Sequence, residues 1–146
     1  MKTKITVAGK TLELTSKRSK CGVPFPNADA KQGTLHNQFT ITVIREDNRV
    51  KKSFQFFDCM ANYQKGIVDL SEQGLKLAFR SFVDDASYAT MDFKHFCSEL
   101  GYEEDSRRAE KIHKLCKKTL AKAESLGFPE SEIYDIINEL SEQGIE

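Results

Sequence analysis

The chain has 146 residues, 39% of them hydrophobic, and this length is typical of one folded domain. Its 22 basic and 22 acidic side chains cancel to a net charge of zero, which excludes a uniformly basic or uniformly acidic protein. The sequence contains neither an apolar run long enough for a membrane span nor the apolar core of a signal peptide, so we expect a cytoplasmic protein that does not contact a membrane.

The first part of the chain, residues 1–66, has the alternating pattern of β-strands. Apolar and polar residues alternate on both sides of Gly9, which predicts a hairpin. Alternation returns over residues 39–44 and 50–57, on either side of a polar turn, and predicts a second hairpin. The segment between the hairpins, loop 19–38, contains four glycines and prolines and is therefore predicted to be irregular. We expect an N-terminal antiparallel sheet of three or four strands.

Residues 67–146 are predicted to be mainly helical, because apolar side chains recur at three- and four-residue spacing. The pattern divides into about four helices. Gly101 ends the second, Asp105-Ser106 opens the third, and Pro129 fits the first turn of the fourth. We expect these helices to pack on one face of the sheet, so the sequence predicts a single α+β domain over residues 1–146.

The predicted core joins the helices to the last strand. We expect apolar side chains of all four helices to be buried against Phe54 and Phe56, namely Phe79, Phe82, Phe93, Phe96, Ile112, Ile136 and Leu140.

Two His–Cys pairs, His95 with Cys97 and His113 with Cys116, supply the ligand types of a structural zinc site. Residues two apart on a helix differ in direction by about 200°, so His95 and Cys97 cannot both hold one ion. We therefore predict no metal and no cofactor, with the two cysteines buried and the two histidines at the surface. No cysteine pair has Cys-x-x-Cys spacing, and we expect free thiols at positions 21, 59, 97 and 116.

No phosphate-binding glycine loop and no set of residues typical of a catalytic centre is present in the sequence, so we predict that the protein is not an enzyme. Charge is nevertheless strongly segregated along the chain. The net charge is +7 over residues 1–66, −6 over 67–106, +6 over 107–122 and −7 over 123–146. Blocks of this kind predict differently charged faces on one fold.

The basic block carries the most specific pattern. Five cations recur at spacings of four, three, four and four residues and fall within about 80° of a helix circumference, opposite an apolar stripe. They are the predicted binding residues: Arg107, Lys111, Lys114, Lys118 and Lys122. Such a stripe is typical of a solvated outer face, of contact with an acidic protein surface, or of contact with nucleic-acid phosphates. The aromatic residues that stack on single-stranded bases are absent from it.

The stretch from Asp92 to Ala109 contains Phe96-Cys97, Gly101-Tyr102 and Asp105-Ser106-Arg107. It resembles a pattern common in small accessory proteins of phages, prophages and other mobile elements, and the segment Ser53–Asp58 is similar to the strand that precedes it there. The resemblance implies a phage or prophage origin. Small proteins from such loci often inhibit host defence, and anti-CRISPR proteins are among them.

The sequence thus predicts a non-enzymatic accessory protein that binds a host or phage protein complex, for instance as an inhibitor of host defence. The alternative is a nucleic-acid-binding module that uses the basic helix 107–122.

Overall fold

The computed structural model describes residues 2–19, 38–57 and 71–146, with side chains described for 2–17, 40–54 and 71–146. Apart from its two end residues, the predicted loop 19–38 lies outside the described residues.

Four strands form the N-terminal sheet: β1 (Lys2–Val7), β2 (Lys10–Ser19), β3 (Gln38–Arg45) and β4 (Lys51–Phe57). They lie in the order β1-β2-β3-β4, and every neighbouring pair is antiparallel. Ala8 and Gly9 connect the first two strands and both have positive φ, 51° and 71°. Two such residues match the type I′ turn, whose twist suits a tight hairpin.

Alternate residues of the sheet are buried, as the sequence pattern predicts. Ile5 lies opposite Leu12, and Leu14 lies opposite Val43; all four side chains are buried. Phe54 lies opposite the buried Ile41 and therefore points to the same face, where it is half-buried. The side chain of Phe56 lies outside those that the structure describes.

Four α-helices follow in the described residues: α1 (Glu72–Tyr88), α2 (Phe93–Leu100), α3 (Arg107–Ser125) and α4 (Ile133–Glu142). The predicted α+β class, an antiparallel sheet followed by helices, is confirmed. The start of the last helix differs from the prediction. Pro129 precedes a short 3₁₀ turn, Glu130–Glu132, and the α-helix itself begins at Ile133.

The structure divides into two compact units, residues 1–79 and 80–146, and the boundary falls within α1. The single domain over residues 1–146 stays a prediction.

Local signals in the sequence explain where α2 begins and ends. The Asp92 carboxylate accepts a hydrogen bond from the His95 N–H (2.7 Å), which satisfies one of the free donors at the first turn. Gly101 ends the helix with φ +76°, a left-handed conformation in which a side chain would be strained. The Tyr102 N–H then donates to the Cys97 carbonyl (2.9 Å), which completes the cap.

Phe96 is the central side chain of the core between α2 and α3. It is fully buried at 0% exposure and packs in one cluster with Cys97, Ala109, Ile112 and Cys116. Aromatic rings surround it on several sides, those of Tyr88, Phe93, Tyr102 and His113.

Most of the predicted core residues are buried. These are Phe79, Phe82, Phe96, Ile112, Ile136 and Leu140, whereas Phe93 is half-buried.

Replacing Phe96 by Ala should lower the free energy of unfolding by about 3–5 kcal/mol, because the change removes a fully buried ring and leaves a cavity. The matched control is Leu100→Ala on the same helix, where the side chain is 37% exposed and the loss should be below about 1 kcal/mol. Chemical denaturation measures both. Equal losses for the two variants would contradict the assignment of the buried face.

Candidate binding surface

Helix α3 is amphipathic along its whole length. Its N–H groups are capped by Ser106, whose Oγ accepts a hydrogen bond from the Ala109 N–H (3.2 Å). One stripe of the helix is buried, and its members recur at three- and four-residue spacing: Ala109, Ile112, His113, Cys116, Leu120 and Ala123. At about 100° per residue this stripe leaves the opposite side of α3 to solvent.

All five predicted binding residues lie on α3. Arg107, Lys111, Lys114 and Lys118 are exposed and share the side opposite the buried stripe, and we call these four residues the basic face. Lys122 belongs to the same line of residues but is half-buried and has an interaction of its own. The basic face is therefore shorter by one turn than the sequence pattern predicts.

The sequence pattern misses two exposed cations beside the basic face. Arg108 and Lys117 lie on its two sides and are both exposed. The buried stripe covers only part of the circumference of α3. Cations well to the side of the basic face therefore also reach solvent, and the width of this exposed sector is the signal that identifies them.

Ion pairing distinguishes the basic face from two lysines of β1. In the sheet, Lys4 Nζ lies 2.7 Å from a Glu46 carboxylate oxygen, and Lys2 Nζ lies 3.4 Å from one of Glu13. Among the described residues, by contrast, no carboxylate lies within ion-pair distance of the four cations of the basic face. The face thus presents four unpaired positive charges along about three turns of helix.

The buried side of α3 holds the basic face in a fixed orientation. His113 is 5% exposed, so its predicted position at the surface is wrong. Its Nε2–H donates a hydrogen bond to the Met91 carbonyl oxygen (3.0 Å), and its ring centroid lies 4.7 Å from that of Phe96. Met91 precedes α2 in the chain, so this hydrogen bond and ring contact connect α3 to α2 and to the turn before it.

The residues considered for zinc point in different directions. His95 is exposed and lies 3.3 Å from the Glu99 carboxylate, whereas His113 is turned into the core. Across residues 2–19, 38–57 and 71–146, no three His, Cys, Asp or Glu side chains are grouped as metal ligands would be.

The two described cysteines are buried, as predicted, and both are free thiols. Burial raises the pKa of the Cys97 thiol, and burial together with the charge of Asp85 raises the pKa of Cys116 to about 12. Both thiols therefore stay protonated at neutral pH and are poor nucleophiles. Cys21 and Cys59 lie outside the described residues.

A shallow depression of about 510 Å³ lies at the turn that leads into α3. It carries three carboxylates and one ammonium group, and its lining residues are Lys94, Cys97, Ser98, Tyr102, Glu103, Glu104 and Asp105. Its three carboxylates repel anions, so the surface beyond the first turn of α3 is electrostatically opposite to the basic face.

A second charged cluster joins α1 to the C-terminal end of the chain. The Arg80 guanidinium pairs with Asp84 (3.0 Å) and donates to the Ser141 hydroxyl and the Ile145 carbonyl, both at 2.9 Å. The neighbouring Asp85 is half-buried. Burial, with a smaller contribution from the charge of Asp84, raises the pKa of Asp85 to about 7.

Within the part of the chain that the structure describes, no helix is both long and apolar enough to cross a membrane. Comparison with protein-family models, curated proteins and solved structures found no match to this chain.

The half-buried carboxyl of Asp85 makes the free energy of unfolding depend on pH, because its pKa is raised in the folded protein. Its pKa in the folded protein is about 7, above the ordinary value of 3.8, so the folded protein holds a proton that the unfolded chain releases. The contribution to stability is present in full below about pH 4 and is lost as the pH rises towards and through about 7. In Asp85→Asn this contribution disappears, and the difference between the two proteins should change by at most about 4 kcal/mol over the window.

Denaturation of both proteins at a series of pH values measures this difference. Asp135→Asn, which makes the same chemical change at an exposed carboxylate of α4, is the matched control. Parallel pH profiles for Asp85→Asn and the unsubstituted protein would contradict the raised pKa.

Proposed function

We propose that this protein is a non-enzymatic accessory protein that binds a protein complex, and that the basic face of α3 contacts an acidic surface of that complex. The observation that carries the proposal is the set of exposed cations at Arg107, Lys111, Lys114 and Lys118, for which the described residues supply no ion-pair partner. A helix fixed by its buried stripe presents these charges in one orientation, which favours recognition of a matching surface.

The extent of the basic face favours a protein partner over nucleic acid. Three acidic residues, Glu103, Glu104 and Asp105, precede α3, and residues 123–146 carry seven acidic side chains and no basic one. A phosphate backbone continuing past either end of α3 would meet this negative charge, whereas an acidic patch of limited size would not. Nucleic-acid-binding domains are also commonly basic overall, and this chain has a net charge of zero.

Burial raises the pKa of both Cys97 and Cys116, so neither of these two thiols is a candidate nucleophile. The resemblance of residues 92–109 to accessory proteins of mobile elements supports a host or phage complex as the partner, with inhibition of host defence, as by anti-CRISPR proteins, as the outcome. Such complexes act in the cytoplasm, and the proposal places the protein there.

Changing Lys111, Lys114 and Lys118 together to Glu tests the proposal, because it reverses the basic face and leaves the buried stripe untouched. The fold should survive, with changes of about 0.5 kcal/mol per position in the free energy of unfolding. Complexes are first captured from a bacterial lysate with the unsubstituted protein, with and without nuclease. The captured complex is then purified and its association with each variant is measured. The reversed variant should associate about tenfold more slowly or worse.

Two controls accompany this variant. The same three lysines changed to Arg keep the charge and should bind as the unsubstituted protein does. Reversal of Lys17, Lys51 and Lys94, exposed lysines of β2, β4 and α2, makes the same change in net charge on other elements and should have a small effect. Equal binding by all variants would overturn the proposal.

Nuclease treatment distinguishes a protein partner from the alternative, a nucleic-acid partner. Capture that nuclease abolishes, together with binding of duplex DNA whose affinity falls steeply with salt, would replace the protein complex by nucleic acid as the partner.

A further inference from the structure

Helix α4 carries an exposed face of opposite character to that of α3. Its buried side consists of Ile133, Ile136 and Leu140. The opposite side presents five exposed residues, which we call the acidic face: Ser131, in the 3₁₀ turn before the helix, and Tyr134, Asp135, Asn138 and Glu142. Tyr134 is 50% exposed, more than any other phenylalanine or tyrosine side chain that the structure describes.

Among the described residues, the two carboxylates of the acidic face lack an ion-pair partner, as the four cations of the basic face do. Residues 123–146 contain no Lys or Arg, so no residue of α4 can neutralise Asp135 or Glu142. In the described parts of the chain, neither carboxylate has a cation within ion-pair distance. One copy of residues 80–146 therefore holds two complementary charged faces that it does not pair with each other.

The two faces match in spacing. The cations of the basic face lie at intervals of four, three and four residues. Ser131, Asp135, Asn138 and Glu142 have the same intervals. The four cations span about 17 Å along α3 at 1.5 Å per residue, and Asp135 to Glu142 span about 11 Å along α4. Ser131 precedes that helix in the 3₁₀ turn.

Two helices laid side by side with these faces in contact would pair every cation with an oxygen acceptor. In either direction, two cations meet a carboxylate and the other two meet the oxygens of Ser131 and Asn138. Tyr134, beside them, offers a ring on which a cation can also lie.

We propose that the protein associates with a second copy of itself, with the basic face of α3 in one copy bound to the acidic face of α4 in the other. Charge complementarity and matched spacing carry this assignment. Net charge zero removes the general repulsion that opposes association of like-charged copies. Exposed ion pairs are individually weak, so the association is weak and depends strongly on salt.

Self-association uses the same basic face as the proposed partner complex, so the two interactions exclude each other. The inference itself does not need the partner complex to exist, because it concerns the purified protein alone. If the purified protein does not self-associate, the capture experiment still tests binding of a partner complex. If no partner complex is captured, ultracentrifugation still tests self-association.

Analytical ultracentrifugation of the purified full chain tests the proposal at about 20 mM and about 500 mM NaCl. At low salt the average mass should rise with protein concentration, and at high salt the association constant should fall about tenfold or more. A protein that stays monomeric at low salt up to millimolar concentration would overturn the proposal, as would association that salt does not weaken.

A charge-swap experiment identifies the faces. The basic-face variant has Lys111, Lys114 and Lys118 changed to Glu, and the acidic-face variant has Asp135, Asn138 and Glu142 changed to Lys. Each alone should be monomeric at low salt, because its two faces carry like charge. An equimolar mixture should associate again, because the basic α3 of one variant meets the acidic α4 of the other.

A mixture that stays monomeric, or a single variant that associates as the unsubstituted protein does, contradicts the assignment of these faces. Circular dichroism verifies that both variants are folded. Tyr134→Ala keeps every charge and should weaken association without abolishing it, which gives a second, milder variant of the acidic face.

Discussion

The contact of His113 with Phe96 and with the Met91 carbonyl determines how α3 is oriented. Phe96 is fully buried, and the imidazole can reach both partners only if this side of α3 faces α2. Once that side is fixed, the period of the helix places residues such as Lys111 and Lys118 on the opposite side. The basic face is thus a geometric consequence of the buried stripe.

Much of this arrangement could be predicted from local sequence. The alternation of apolar and polar residues predicts the strands. Gly101 predicts the end of α2 and Ser106 the start of α3, because capping signals act over three or four residues. His113 was misplaced because its residue type suggested solvent, although Ala109, Ile112 and Cys116 put it inside the buried stripe. Its hydrogen-bond partner lies 22 positions away, and no local pattern encodes such a contact.

The candidate site was predictable in position but not in extent. Spacing alone put Lys122 on the same line as Lys118, yet burial near the C-terminal end of α3 leaves it half-covered. Arg108 and Lys117 were missed for the opposite reason, since they lie off the central line but still within the exposed sector. How wide that sector is depends on which neighbouring elements cover the helix, which is a property of the tertiary structure.

The distribution of ion pairs explains how a neutral protein can present charged faces at little cost to its fold. Exposed ion pairs contribute about 0–1 kcal/mol each, so leaving Lys111 or Asp135 unpaired sacrifices little stability. Where a pair is partly buried and braced by further hydrogen bonds, as Arg80 is by Asp84 and Ser141, its loss would leave a charge without a partner and would cost more. The chain keeps this braced pair at the junction of α1 with its C-terminal end. The cations of the basic face lie instead where stability places few demands on them, so the proposed binding role can set their arrangement at little cost to the fold.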